Sequence, residues 1–170
     1  MSTIEEKTKV INISPIARRI KRELEKMMNY GICKNDNISI SRNKTYNNEF
    51  DYHIVIFNDN DKRLYEFILS SYYPFKPPKL ILNYKPYFEY FRFTSNSYRD
   101  LFYKYKGQRC FCCETKTCGD NWGPSHLLVD IMNEVNQFYT ECKEISHIIC
   151  IKVIKRKYLI DDINIIEWLY

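Results

Sequence analysis

Behind Ser14-Pro15, apolar residues recur at helical spacing: Ile16, Ile20, Leu24, Met27 and Met28. Ser14 suits an N-cap, and Pro15 suits the first helical position, where no N–H is needed. Gly31 supplies a stop. The spacing therefore predicts a helix from 15 to about 30. Its other face carries Arg18, Arg19, Lys21, Arg22 and Lys26. A solvated charged face is the plain reading, although bases in the first turns oppose the helix dipole.

The period then changes from helical to two, giving strand candidates at 37–42, 50–57 and 64–70. In the second, Phe50, Tyr52, Ile54 and Ile56 share one face. The turn Asn58-Asp59-Asn60-Asp61 makes 50–70 a β-hairpin. Tyr73-Pro74-Phe75-Lys76-Pro77-Pro78-Lys79 breaks the alternation, since three prolines fix φ and remove three donors. Leu80-Ile81-Leu82 follows as a fourth strand. The pattern up to here is helix, antiparallel meander, rigid proline turn.

Residues 84–106 are aromatic, with Tyr87-Phe88-Glu89-Tyr90-Phe91 reading as buried and 97–106 as a short helix. From Pro124 a helix is expected to run to about 142, burying Leu128, Ile131, Met132, Val135, Phe138 and Tyr139. The tail holds one apolar segment at 145–154, then Lys155-Arg156-Lys157, then a second with Ile163, Ile166 and Leu169. Both tail segments are read as helical. Residues 1–13 read as a flexible lead-in, and 14–170 as a single domain.

Composition narrows the class. The chain has 170 residues, enough to bury a substantial core, and 16% aromatics to fill it. No apolar run approaches the roughly 20 residues of a membrane span, and no apolar stretch near Met1 suggests a secretory signal. Seven cysteines without an export signal suit a reducing compartment. The net charge of +5 permits an acidic partner without demanding one.

Candidate chemistry concentrates in Gly107-Gln108-Arg109-Cys110-Phe111-Cys112-Cys113, followed by Cys118 and Trp122-Gly123-Pro124. Such crowding is uncommon for cysteines used as small apolar fillers, the role expected of Cys33, Cys142 and Cys150. Two chemistries fit: one exposed thiolate nucleophile, or a zinc site. A zinc site would draw on Cys110, Cys112, Cys113 and Cys118. A mixed arrangement would bind metal through Cys112, Cys113, Cys118 and His126 beside a free Cys110. The nucleophile is preferred, because C-x-C-C-x4-C lacks separated knuckles and adjacent cysteines seldom share one tetrahedral ion.

The order of these features resembles the ubiquitin-conjugating enzymes. Ala17-Arg18-Arg19-Ile20-Lys21-Arg22-Glu23-Leu24 is similar to that family's basic first helix. Tyr73-Pro74-Phe75-Lys76-Pro77-Pro78-Lys79 is similar to its Y-P-F-K-P-P-K loop. Gly107-Gln108-Arg109-Cys110 resembles its glycine three residues ahead of the active cysteine. Trp122-Gly123-Pro124 stands where the family has W-S-P. The resemblance spans about 14–142, and its cysteine-rich character is closest to divergent members from large DNA viruses of eukaryotes. It implies an α+β fold with an N-terminal helix, a four-stranded antiparallel meander, and central and C-terminal helices.

It also implies a thioester relay. Cys110 would take ubiquitin from the activating enzyme and pass it to a substrate lysine, with Cys113 in reserve. Lys104, Lys106 and Arg109 stand close in sequence and would favour the thiolate. The family's H-P-N tripeptide is missing; 98–103 reads Tyr-Arg-Asp-Leu-Phe-Tyr. Asn96 and Asn121 are the candidates to donate to the oxyanion, a role whose loss typically costs about 10²–10³ in rate. Arg18, Arg19, Arg22, Phe75 and Pro124 would face the activating enzyme or a ligase, and Trp122 would anchor the core. The implied partners are ubiquitin, activating enzyme, ligase and substrate proteins, in the cytoplasm or nucleus of an infected cell, with no membrane. No cofactor is required on this reading.

Two alternatives stay open. In one, a catalytically inactive relative binds ubiquitin or a ligase as an adaptor, with the cysteines holding structural zinc. In the other, a basic zinc module binds nucleic acid; it is disfavoured because the bases form no aromatic-interleaved patch.

Overall fold

The computed structural model describes residues 14–32, 37–44, 50–92, 96–107 and 114–158. Helix α1 (Pro15–Asn29) begins where its signals stand, the Ser14 hydroxyl accepting from the Ala17 amide at 3.3 Å. It ends in a Schellman turn. Gly31 takes φ +66°, its amide bonds the Met28 carbonyl, and the Ile32 amide reaches back to Met27 at 3.0 Å.

Five antiparallel strands follow in sequence order across one sheet: β1 (Ile38–Lys44), β2 (Phe50–Asn58), β3 (Arg63–Leu69), β4 (Lys79–Leu82) and β5 (Lys85–Pro86). Four strands were expected, so the count is corrected to five. The added strand has two residues, one of them a proline, too short to show a period. Asn83 and Tyr84 join β4 to β5 with φ +47° and +65°, both positive as a two-residue hairpin turn of the primed type requires. Register follows the alternation: Ile54 pairs with Phe67 and Ile56 with Tyr65, and all four are fully buried on the face turned to the helices.

After a 3-10 turn at Tyr87–Phe91 come α2 (Asn96–Lys106) and α3 (Leu128–Tyr158). The expected helix from Pro124 to about 142 and the separate one at 145–154 are one element of 31 residues, starting four residues later than expected. It continues through the β-branched stretch because Ile145 and Ile149 pack with Phe102 and Tyr98 of α2, and that burial outweighs their weaker helix propensity. Among the described residues, no helix is long and apolar enough to cross a membrane.

The main core joins Ile20, Leu24 and Met27 of α1 to the sheet and to Leu128, Ile131, Met132 and Val135 of α3. A second cluster sits between α2 and α3, around Phe102, Phe138 and Ile145. Arg63 ties the β2–β3 turn to α3. Its guanidinium lies 3.8 Å from the centroid of the Tyr139 ring and bonds Asp61 and Asn136. Of the expected filler cysteines, Cys142 is half-buried in the second cluster, and burial raises its thiol pKa. Cys150 is exposed, so its assignment as filler is corrected. Cys33 lies outside the described residues.

Candidate functional site

The part of the molecule that carries the family-like motifs is organised by a buried carboxylate. Glu23 sits on the apolar stripe of α1 with Ile20, Leu24 and Met27, and is 2% exposed. A lone buried carboxylate is costly, so each oxygen must find donors. Oε1 accepts from the Tyr73 hydroxyl at 2.6 Å and from Arg19 Nε, while Oε2 accepts from the Leu128 amide at 2.8 Å. Leu128 is the first residue of α3, so Glu23 also places negative charge at the positive end of that helix. Burial, and then the charge of Glu23, push the Tyr73 phenol well above its ordinary pKa.

From this point the network spreads into both motif loops. Arg19 Nη2 donates to the carbonyls of Pro124 at 3.1 Å and His126 at 2.9 Å. Trp122 Nε1 donates to the Pro74 carbonyl at 2.7 Å, and its ring lies 6.0 Å from that of Tyr73. The Tyr73–Pro74 peptide bond is cis. His126 Nδ1 accepts from the Gly123 amide at 3.1 Å, and Asp130 Oδ2 caps the start of α3 through the Leu127 amide. Trp122 is buried, in the place expected of a core anchor. The first helix, the proline loop and the W-G-P segment are thus one hydrogen-bonded unit.

What this unit presents outward is apolar and basic. Phe75 is 78% exposed at the tip of the proline loop, Pro124 is exposed, and Arg18 and Arg22 stand exposed on α1. Arg19 differs from its two neighbours: its guanidinium is held inward by Glu23 and two backbone carbonyls. In the structure it ties the first helix to the W-G-P segment. The signal was present in the sequence, because Arg19 and Glu23 stand four apart and Glu23 falls on the apolar stripe.

On the cysteine side, α2 ends at Gly107 with φ +70°, the left-handed conformation that glycine adopts freely. Cys110, Cys112, Cys113 and Arg109 lie outside the described residues, and so do the nucleophile and zinc assignments that rest on them. Asn96 is exposed at the start of α2, and Asn121 is exposed in the turn where its amide bonds the Cys118 carbonyl at 3.1 Å. Lys104 is exposed on α2. Cys118 is half-buried as a free thiol. Among the described residues, no group of three His, Cys, Asp or Glu side chains is placed to hold a metal ion.

The chain returning from the cysteines is fastened by a residue that sequence reasoning did not single out. Glu134 Oε2 accepts from the Lys116 amide at 2.7 Å, with the Lys116 ammonium 3.9 Å away and the Tyr87 hydroxyl 3.5 Å from Oε1. Burial raises the Glu134 pKa, partly opposed by the Lys116 amide and charge. Burial likewise raises Tyr87, with the charge of Glu134 adding to it. An acid on the inner stripe of α3, between Ile131 and Phe138, was the available signal.

No protein-family model, curated protein or solved structure matches the chain.

Proposed function

We propose that this protein is a ubiquitin-conjugating enzyme with Cys110 as its nucleophile. The observation that carries this reading is the unit built around Glu23. It joins a basic first helix, the Y-P-F-K-P-P-K loop and the W-G-P segment, the three motifs on which the resemblance rests outside the cysteines. An antiparallel meander in sequence order follows the first helix, with the proline loop between β3 and β4. The Glu134–Lys116 bond supports it further, because it fixes the chain just beyond the cysteines to the rigid body of α3.

The chemistry is two acyl transfers. The Cys110 thiolate attacks the carbonyl of ubiquitin held as a thioester on the activating enzyme. A new C–S bond forms and the activating enzyme's thiolate leaves. The amine of a substrate lysine then attacks the same carbonyl, an amide forms, the Cys110 thiolate leaves, and the amine loses its proton to solvent. Asn96 and Asn121 are the candidates to donate to the oxyanion in the second step, and Cys113 is the reserve nucleophile. Phe75, Pro124, Arg18 and Arg22 offer an apolar and cationic surface for a ligase or the activating enzyme.

The second reading is an inactive adaptor that binds ubiquitin or a ligase through the same surface, with the cysteines holding zinc. The absence of an H-P-N tripeptide favours it. Incubation with activating enzyme, ATP and ubiquitin separates the two. An adduct that a thiol reductant removes, and that Cys110→Ala abolishes, is expected of the enzyme. No adduct, together with stoichiometric zinc by elemental analysis, would establish the adaptor instead.

A further inference from the structure

Among the described residues, β1 pairs with β2 alone and forms one edge of the sheet. Every second N–H and C=O of β1 therefore points out of the sheet, and all of its residues after Ile38 are exposed. Ile40 shows how open this edge is. It pairs with Ile54 and so shares the face turned to the helices, yet Ile54 is fully buried and Ile40 is 52% exposed. The opposite edge offers less backbone, because β5 has two residues and one is a proline.

Ile40 is open because α1 covers β2 and stands off β1. A cleft of about 340 Å³ is left along the edge, lined by Leu24 and Met28 of α1, Ile38 and Ile40 of β1 and Tyr52 of β2. Beyond the isoleucines the same face of β1 turns cationic. Arg42 lies over the Tyr52 ring at 5.7 Å, Lys44 follows it, and this face of the strand carries no acid. Glu25, on the α1 side of the cleft, already faces Lys21 at 3.9 Å.

A strand laid along β1 would satisfy its outward amides and carbonyls, and would send alternate side chains into the cleft. A second copy of β1 is a poor occupant. Arg42 and Lys44 from each copy would crowd one ladder with bases, and like charges across paired strands destabilise them. An acidic extended chain meets no such penalty.

We propose that the β1 edge binds an extended, acidic segment of a partner protein, which adds antiparallel to β1 as a further strand of the sheet. Alternate side chains of the segment are apolar where they enter the cleft beside Ile38 and Ile40, and acidic where they meet Arg42 and Lys44. Main-chain bonds supply the affinity, while the cleft and the bases select the sequence. The surface lies on the side of α1 away from Arg19 and does not depend on the acyl transfer proposed above.

The test uses the full chain and a fluorescein-labelled peptide, Glu-Thr-Glu-Thr-Val-Thr-Ile. In an antiparallel pair its glutamates fall opposite Lys44 and Arg42, and its valine and isoleucine opposite Ile40 and Ile38. Saturable binding by anisotropy is expected, with amide hydrogen exchange slowed most in β1. Ile40→Glu, a change at an exposed position, should weaken binding about tenfold. Lys44→Glu should weaken it too, and should bind a peptide with lysines in place of both glutamates more tightly than wild type does. No saturable binding to wild type overturns the proposal, as does binding that neither variant alters, or protection centred on another strand. A wild type that is dimeric in solution and becomes monomeric on Ile40→Glu gives the edge to a second copy and also overturns it.

Discussion

The hydroxyl of Tyr73 donates to the carboxylate of Glu23 at 2.6 Å, across fifty positions of sequence and inside the core. That bond fastens the proline loop to the first helix, while the other oxygen of Glu23 holds the first amide of α3. A charge so deeply buried is tolerated because its neighbours were folded around it, and it specifies where three segments meet.

Removal of Glu23 should therefore cost more than an ordinary surface change. Glu23→Ala leaves the Tyr73 hydroxyl and the Leu128 amide without their acceptor and Arg19 without its counter-charge. The expected loss is about 3 kcal/mol in urea unfolding. A loss no larger than that of a surface Glu→Ala, such as Glu25→Ala, would contradict the network's role.

Tyr73→Phe removes one donor and keeps the ring, so the expected cost at neutral pH is about 1 kcal/mol. The alkaline limb is more telling. The phenol's folded pKa is raised, and an unfolded tyrosine ionises near 10. Its contribution is complete below about pH 10 and is lost as pH rises towards the folded value. The phenylalanine variant should therefore lose less stability than wild type above about pH 10, as measured by denaturation at stepped pH. Parallel curves would show that Tyr73 does not titrate with unfolding.

Glu134 gives a prediction in the acid range. Its folded pKa is raised by burial, whereas an unfolded glutamate titrates near 4.3. The folded state holds the proton more tightly, so the stability Glu134 contributes is complete below about pH 4.3 and is lost as pH rises through the folded value. Gln in its place keeps an acceptor for the Lys116 amide and carries no charge. Glu134→Gln should gain on wild type as pH rises from about 4 and then level off. A difference constant with pH would mean that burial does not strain this carboxylate.

Phe75 is too exposed to support the core, so Phe75→Ala should leave thermal stability within about 0.5 kcal/mol of wild type. On the proposed reading, thioester formation persists while ligase-stimulated transfer falls. Transfer at the wild-type rate would remove Phe75 from the partner surface.

Much of the fold was legible because its signals are local. Ser14, Pro15 and Gly31 mark both ends of α1, and the alternation from Tyr52 to Ile56 gives β2 and its buried face. What escaped depended on tertiary contacts. The length of α3 is set by α2 packing against Ile145 and Ile149, which no window of sequence contains. β5 needed the positive φ of both Asn83 and Tyr84, where only Asn is an obvious turn residue. For the site, the sequence pointed to the loops but not to the inward bonds of Arg19. A base beside Arg18 and Arg22 looks like one of a row, until the acid four positions on is seen to be buried. Glu134 escaped for the same reason: its partner is a backbone amide, which has no sequence signature.

The most direct measurement of the central claim is the chemistry of the adduct formed by Cys110→Ser. A serine at the nucleophilic position would capture ubiquitin as an oxygen ester, which thiol reductants do not cleave, whereas the wild-type thioester is lost under the same treatment. The account predicts a reductant-resistant, hydroxide-labile adduct mapped to position 110 by mass spectrometry. A variant that still charges through a reductant-sensitive bond would move the nucleophile to another cysteine, and a wild type that never charges would contradict the account altogether.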